Sequence, residues 1–439
     1  MRVSAIVSLA VLIGLAGFGL EARGAEPVSL AKKAAIFEHD MNKRFVFDGE
    51  VMCKLRLPQP DEPKVTYNMP DNAYMTGIYL GAMSMEYAVT HDSEAQHAAG
   101  EAIKALNLLC TVSGKTGLLA RAAVPMDRPW HDDGEWHKTA DGQYRWRGDV
   151  SNDQMTGVIY GFAMAYDLVA DPAQKKMIAK DVGDLVGYVL DNDLRIIGFD
   201  GKPTQWGRYD APYVKRVEHQ NALLWLQHLK VAAHVTGEKR FADAYQKYAV
   251  DEGYAETAVK ARRGGNPFKP GMVNHSDDVL LYLAYVPLLR LEKDGALKDK
   301  YLASLRRTWE GDGHFPGVKP EGNPHYAFLV HKYLGDSTED AAGIQTLRWF
   351  PFDMKWNHDT LASYEEELGF KAPTTPQSPA PGPHSVIPID RRPKTWSAWV
   401  QDPYVAGTRT ADIPLAFNGN DYLMSYWTGR YWGYIGAKQ

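Results

Sequence analysis

The chain has 439 residues, 45% of them hydrophobic and 23% charged, and a formal net charge of −5. This composition is ordinary for a globular protein, and the missing basic excess excludes nucleic acid as the expected partner. Length alone fits about three ordinary domains, but repeat-built folds escape that arithmetic, so internal repeats are sought first.

The N-terminus reads MRVSAIVSLAVLIGLAGFGLEARGAEP: Arg2, an apolar run, then small residues around Ala22 to Ala25. That is the layout of a cleaved secretory signal over residues 1–25. A retained membrane anchor is the competing reading, although the run is short for a span. The expected mature chain, 26–439, is then one domain, secreted or periplasmic, with no membrane association after cleavage. Cys53 and Cys110 either pair in an oxidising compartment or remain buried thiols. Two cysteines build no thiolate metal site, and no cofactor is expected.

A helix is expected near 30–44. Residues 72–81 (NAYMTGIYLG) and 152–161 (NDQMTGVIYG) then repeat Asn, Met, Thr, Gly and Gly at identical spacing. Each copy continues as an apolar helix and is followed by a more polar one, near 93–110 and 172–191. In the second copy Met155, Val158, Ile159, Phe162, Ala165, Tyr166 and Val169 keep helical spacing. Gly157, Gly161 and Ala165 form a small-residue stripe on an adjoining face, which lets a neighbouring helix approach closely. Ser151 and Gln154 fit a capping box that starts this helix near Asn152. Pro172 suits the first turn of its partner.

Further hairpins fall near 219–236 with 238–250, 275–291 with 295–309, and 323–334 with 337–349. The leftover helices near 30–44 and 421–435 supply a sixth pair and join the chain ends. The reading is an all-α protein, an (α/α)6 toroid with long loops on one face; an open helical solenoid is the alternative. The Pro-rich stretch 371–394 is expected to be a strap across the ring.

In such a ring the loops entering the inner helices converge on one face. Here they are VPMDRPWHDDGEWHKTADGQYRWRGDVSND, GFDGKPTQWGRYDAPYVKRVEHQN, RRGGNPFKPGMVNHSDD, WEGDGHFPGVKPEGNPH and PLAFNGNDYLMSYWTGRYWG. Aromatic faces stack on sugar rings, and carboxylates and arginines bind hydroxyls or uronate carboxylates, so a carbohydrate is the expected partner.

RWRGDVSNDQMTGVIYGFAMAYDLVAD and NGNDYLMSYWTGRYWGYI resemble recurring segments of the secreted (α/α)6 carbohydrate-active enzymes. These include unsaturated glucuronyl hydrolases, related glucuronidases and the toroid domains of heparinase-type lyases. The resemblance implies acid/base aspartates at inner-helix entrances, a placement matched by Asp153 and the Asp277–Asp278 pair.

A glycosidase needs one carboxyl to protonate the leaving oxygen and a second to activate water or attack. Asp153 and Asp149 are the expected pair and Asp277 the reserve, with helix capping as their competing role. Trp146, Arg147, Trp206, Arg208, His275, Trp427 and Arg430 are the expected substrate-binding residues. Arg430, if buried among Trp427, Tyr431 and Trp432, needs an anion, either Asp421 or a substrate carboxylate. A lyase instead needs a Tyr or His base, and Tyr209 with His219 keep that alternative open. His131, Asp132, Asp133 and His137 match no strong zinc spacing. No phosphate-binding loop, dinucleotide fingerprint, GxSxG or HExxH occurs. The leading expectation is a secreted glycoside hydrolase acting on a uronate-containing glycan. The alternatives are a polysaccharide lyase and a non-catalytic carbohydrate-binding toroid.

Overall fold

The computed structural model describes residues 28–128, 130, 134–261, 265–266, 269–313, 316–407, 409 and 414–439. The expected signal segment and the His131–Asp133 run lie outside the described residues. In chain order the helices are α1 (Leu30–Asp40), α2 (Asn72–Thr90), α3 (Ser93–Thr111), α4 (Asn152–Leu168) and α5 (Pro172–Asp191). Next come α6 (Ala211–Arg216), α7 (Gln220–Thr236), α8 (Lys239–Gln246), α9 (Tyr254–Val259) and α10 (His275–Leu291). The last are α11 (Gly295–Glu310), α12 (Pro324–Leu334), α13 (Asp340–Trp349), α14 (His358–Leu368) and α15 (Asn420–Tyr431).

The ring is legible from which helices touch. α2, α4, α7, α10, α12 and α15 each pack against the next, and α15 packs back on α2. Outside them, α3 covers α2, α5 lies between α4 and α7, and α8 with α9 covers α7. α11 covers α10, α13 covers α12 and α1 covers α15. This is the closed (α/α)6 toroid, not an open solenoid. The closure is also a set of bonds: Leu30 N donates to Gln439 O (2.6 Å), Tyr422 OH to Leu30 O (3.0 Å) and Asn420 Nδ2 to Met75 O (2.8 Å).

The repeated glycines explain the tightest joint. A Cβ on Gly77 would lie 2.0 Å from Gly157 O, and one on Gly161 would lie 2.4 Å from Gly77 O. Two helices therefore touch backbone to backbone, and the cost of about 1 kcal/mol for each helical glycine is offset by that contact. Ser151 and Gln154 form the expected capping box: Ser151 N donates to Gln154 Oε1 at 2.9 Å. Pro172 opens α5, where Asp171 caps.

Several features departed from expectation, among them the π turn Met41–Phe45 that ends the helix expected near 30–44. The helix expected over 238–250 ends as α8 at Gln246 and continues as a wider π turn, Lys247–Asp251. Helix α14 and several small sheets were not foreseen; two-to-six-residue strands leave too short a period to recognise. One antiparallel sheet orders Ala122–Pro125, Tyr144–Arg147 and Trp136–Lys138; another joins Leu415–Phe417, Lys54–Arg56 and Thr66–Asn68. Arg195–Ile197 pairs with Pro203–Arg208 in a hairpin before α6.

The stretch 371–394 has one helical turn, Ile389–Arg391, and is pinned to its surroundings. Asp390 accepts from the N–H groups of Gln377 and Ser378 (2.8 Å each), and Arg392 Nη2 donates to Glu321 O at 3.2 Å. Cys53 and Cys110 are both buried free thiols. No helix among the described residues is long and apolar enough to cross a membrane.

Candidate functional site

The first turns of α4, α7 and α10 converge on a cleft of about 240 Å3. Asp153 and Asn152 line it from α4, Glu218, Gln220 and Asn221 from the entrance of α7, and Asn274, Ser276 and Asp277 from that of α10. Trp206, from the 203–208 strand, and Tyr213, from α6, complete the wall. Trp206 is 56% exposed, an open aromatic face at the rim.

Asp153 is half-buried, with protein behind it and the cleft before it. Its pKa is pushed up to about 7, chiefly by burial, then by the negative charges of Asp71 and Asp277. Arg121 and the Ser151 hydroxyl pull only partly the other way. Asp277 is raised to about 6, again chiefly by burial, with Gln220 and Asn274 opposing and Glu218 adding to the rise. Glu218 is raised by burial as well. Near neutral pH Asp153 is therefore partly protonated while Asp277, raised less, is mostly ionised, the split that acid and base roles require.

The polar lining is rich in acceptors. Asn152 Oδ1, Gln220 Oε1 and Asn221 Oδ1 are buried and accept no hydrogen bond from the described residues. The Asn221 orientation is fixed, because its Nδ2 donates to Arg208 O at 2.9 Å. No Lys or Arg side chain is among the described lining residues.

Of the residues expected from sequence, Asp153, Asp277 and Trp206 meet in this cleft. The others are placed elsewhere. Asp149 is a turn residue with φ of 50°; its carbonyl accepts from Arg121 Nε (2.6 Å) and its Oδ1 from Gln205 N (3.4 Å). Tyr209 is fully buried, with its hydroxyl 3.1 Å from His228 Nε2 and its ring against Trp225, and it is not part of the cleft lining. His219 sits between two lining residues, but its ring is turned inward, with Nδ1 2.9 Å from Val214 O.

Trp146 is 1% exposed and packs under His137 and Phe199, because it takes the inward side of its strand. Arg147 ends the same strand, packed against the Gly134 backbone and outside the lining. Arg208 holds Asp210 with two bonds of 3.1 Å and lies 4.5 Å over the Tyr213 ring. His275 is buried beside Asp278 and Glu321. His137 Nε2 lies 2.6 Å from Glu135.

Trp427 and Arg430 belong to the other half of α15. Arg430 stands nine residues beyond Asp421, about 13 Å along the axis, and its Nη1 donates to Tyr426 OH at 2.9 Å. Asp421 instead binds Lys355 Nζ at 2.7 Å, in a buried pair. Trp427 Nε1 donates to Glu38 Oε1 at 2.9 Å.

Sequence reasoning passed over Asp71, Glu218, Gln220, Asn274 and Ser276. Asp71 was within reach: it stands directly before the first copy of the repeat, as Asp153 stands inside the second. It accepts from Gln154 Nε2 at 2.9 Å and pairs with Arg121 at 3.4 Å, so it carries the charge that opposes ionisation of Asp153.

No family model matches the chain, and no curated relative does. Among solved structures it is similar to an unsaturated glucuronyl hydrolase specific for heparin, at 13% identity and a TM-score of 0.43, covering 92% of this chain and 95% of that one. It is also similar to a GH76 α-mannanase of Bacteroides thetaiotaomicron, at 9% identity and a TM-score of 0.48, covering 92% and 96%. A sugar epimerase from a ruminal bacterium matches at 12% identity and a TM-score of 0.42, covering 72% and 84%. The ring of helix contacts, rather than these likenesses, carries the assignment of the fold.

Proposed function

We propose that the protein is a glycoside hydrolase that acts on a donor-rich, uncharged glycan, with Asp153 as general acid and Asp277 as its carboxylate partner. One observation carries the reading: Asp153, raised to about 7, faces a cleft that also holds a second carboxyl and an exposed indole. A carboxyl protonated near neutrality can give its proton to a leaving glycosidic oxygen, while an ionised neighbour activates water or attacks carbon. Trp206 supplies the face on which a sugar ring stacks.

The lining supports a neutral sugar over the uronate expected from sequence. A uronate carboxylate only accepts hydrogen bonds, and here it would meet three unsatisfied amide oxygens and the acids Asp153, Glu218 and Asp277. Sugar hydroxyls donate, and so complement those oxygens. The lyase alternative loses its base pair, since Tyr209 is sealed in the core. Secretion remains part of the proposal on the N-terminal sequence pattern alone.

The test is a panel of neutral and uronate oligosaccharides, scored for new reducing ends and for near-ultraviolet absorbance. New reducing ends from neutral glycans, lost in Asp153→Asn and kept in His219→Ala, are expected. Absorbing products from uronates, or an Asp153→Asn variant as active as the parent, would overturn the reading.

A further inference from the structure

At the start of α10, buried beside the cleft residues Ser276 and Asp277, lies a second cluster that the proposed hydrolysis does not use. We propose that His275, Asp278 and Glu321 bind one first-row divalent metal ion, zinc or manganese, inside the ring.

His275 and Asp278 stand three residues apart in the first turn of α10, so they share a face. Glu321 comes from the short helical turn Lys319–Glu321 that leads into α12. One ligand atom from each residue lies within 4.8 Å of the other two. Donors bound to a common ion at about 2.0–2.2 Å lie about 3.0–3.6 Å apart, so a small inward turn of these side chains closes them on one ion. All three side chains are buried, so the group is no chance meeting of solvated surface acids.

A second observation points at the same spot. Tyr326, 1% exposed, has a hydroxyl with no hydrogen-bond partner among the described residues. After burial itself, the charges that act most on this phenol are those of Asp278 and Glu321. Its ring stacks on Tyr282 at 3.9 Å, which holds the phenol in place.

The donor set selects the ion. Calcium and magnesium take all-oxygen shells, whereas one imidazole with two carboxylates suits zinc or manganese. The charged neighbours are Arg392, whose Nη2 donates to Glu321 O at 3.2 Å, and Asp402, 3.9 Å from His275 Nε2. Both come from the chain that follows α14, so the ion would tie that segment's docking surface to α10 and α12. Asp277 lines the cleft directly beside Asp278, so a bound ion would also fix the position of the proposed carboxylate partner. The role is positioning; no reaction step is assigned to the ion.

The experiment is metal analysis of the purified full chain by mass spectrometry, followed by calorimetric titration of chelator-treated protein with ZnCl2, MnCl2 and CaCl2. Close to one equivalent of zinc or manganese per chain is expected, with a higher Tm in the loaded form. In Glu321→Gln, affinity should fall by about tenfold or more. His275→Gln serves if that variant does not fold. Binding of neither zinc nor manganese, binding of calcium alone, or affinity unchanged in the folded variants would overturn the proposal. None of these readouts depends on a glycan substrate, so its failure is separate from failure of the hydrolase reading.

Discussion

At the entrance of the inner helices, Asp153 and Asp277 face an open cleft; toward the C-terminal end of α2, Glu86 faces Glu38. Both places hold carboxyls pushed upward by burial and by like charge, Glu86 to about 9. Both have tryptophan nearby, Trp206 at the first and Trp427 at the second. They differ in what is left unsatisfied. Glu38 receives the Trp427 indole N–H at 2.9 Å, and Glu86 and Glu38 share hydrogen bonding with each other. The cleft instead leaves three amide oxygens without donors among the described residues, and an indole 56% exposed. Raised carboxyl pKa values therefore mark burial at both places, and only the open, acceptor-rich lining marks a binding site.

The largest expected difference between the two places is in turnover. Asp153→Asn should lower kcat/KM by about 1,000-fold or more, the scale of losing a positioned acid. Trp427→Phe should stay within about threefold, because its indole serves Glu38 and not a sugar. Steady-state kinetics on a cleaved neutral glycan checks both.

Stability should split differently. Gly77→Ala forces a methyl against Gly157 O, where the ideal contact is 2.0 Å, and should cost about 1–3 kcal/mol in denaturant unfolding.

A smaller effect is expected at the rim. Trp206→Ala should raise KM by about tenfold with kcat little changed, as loss of a stacking face common to ground and transition states predicts.

The smallest effect concerns the second carboxyl pair. The folded pKa of Glu86 lies above its ordinary value, so its contribution to stability is full at low pH and is lost as pH rises toward about 9. Glu86→Gln removes that dependence. Its Tm should exceed the parent's by a few degrees at pH 8 and by about none at pH 4, with activity unchanged. Equal Tm differences at both pH values would contradict the sign.

The ring itself was legible in the sequence because its signal is long-range and redundant. The NAYMTG and NDQMTG copies, the Ser151 capping box and Pro172 all predict the helix starts that the structure has. The cleft was half legible. Asp153 and Asp277 follow from their places at helix entrances. Glu218 and Gln220 carry no pattern in the sequence and reach the cleft only because the start of α7 lies beside those of α4 and α10. Of the aromatic and basic candidates, Trp206 lines the cleft and the others fall outside it for a definite reason. Composition does not tell which side of a strand Trp146 takes, nor that Arg430 lies about 13 Å down α15 from its loop. Arg208 looked free for a substrate carboxylate, but Asp210, two residues on, binds its Nε and Nη2.

The titration of Asp153 itself bears most directly on whether the cleft holds a general acid. Carbon-13 NMR of carboxyl-labelled protein, with Asp153→Asn to assign the resonance, reads it without any substrate. A midpoint near 7 is expected, from burial reinforced by Asp71 and Asp277. A midpoint close to the ordinary aspartate value of about 4 would mean an ionised Asp153 at neutral pH, and the proposed acid would have no proton to give.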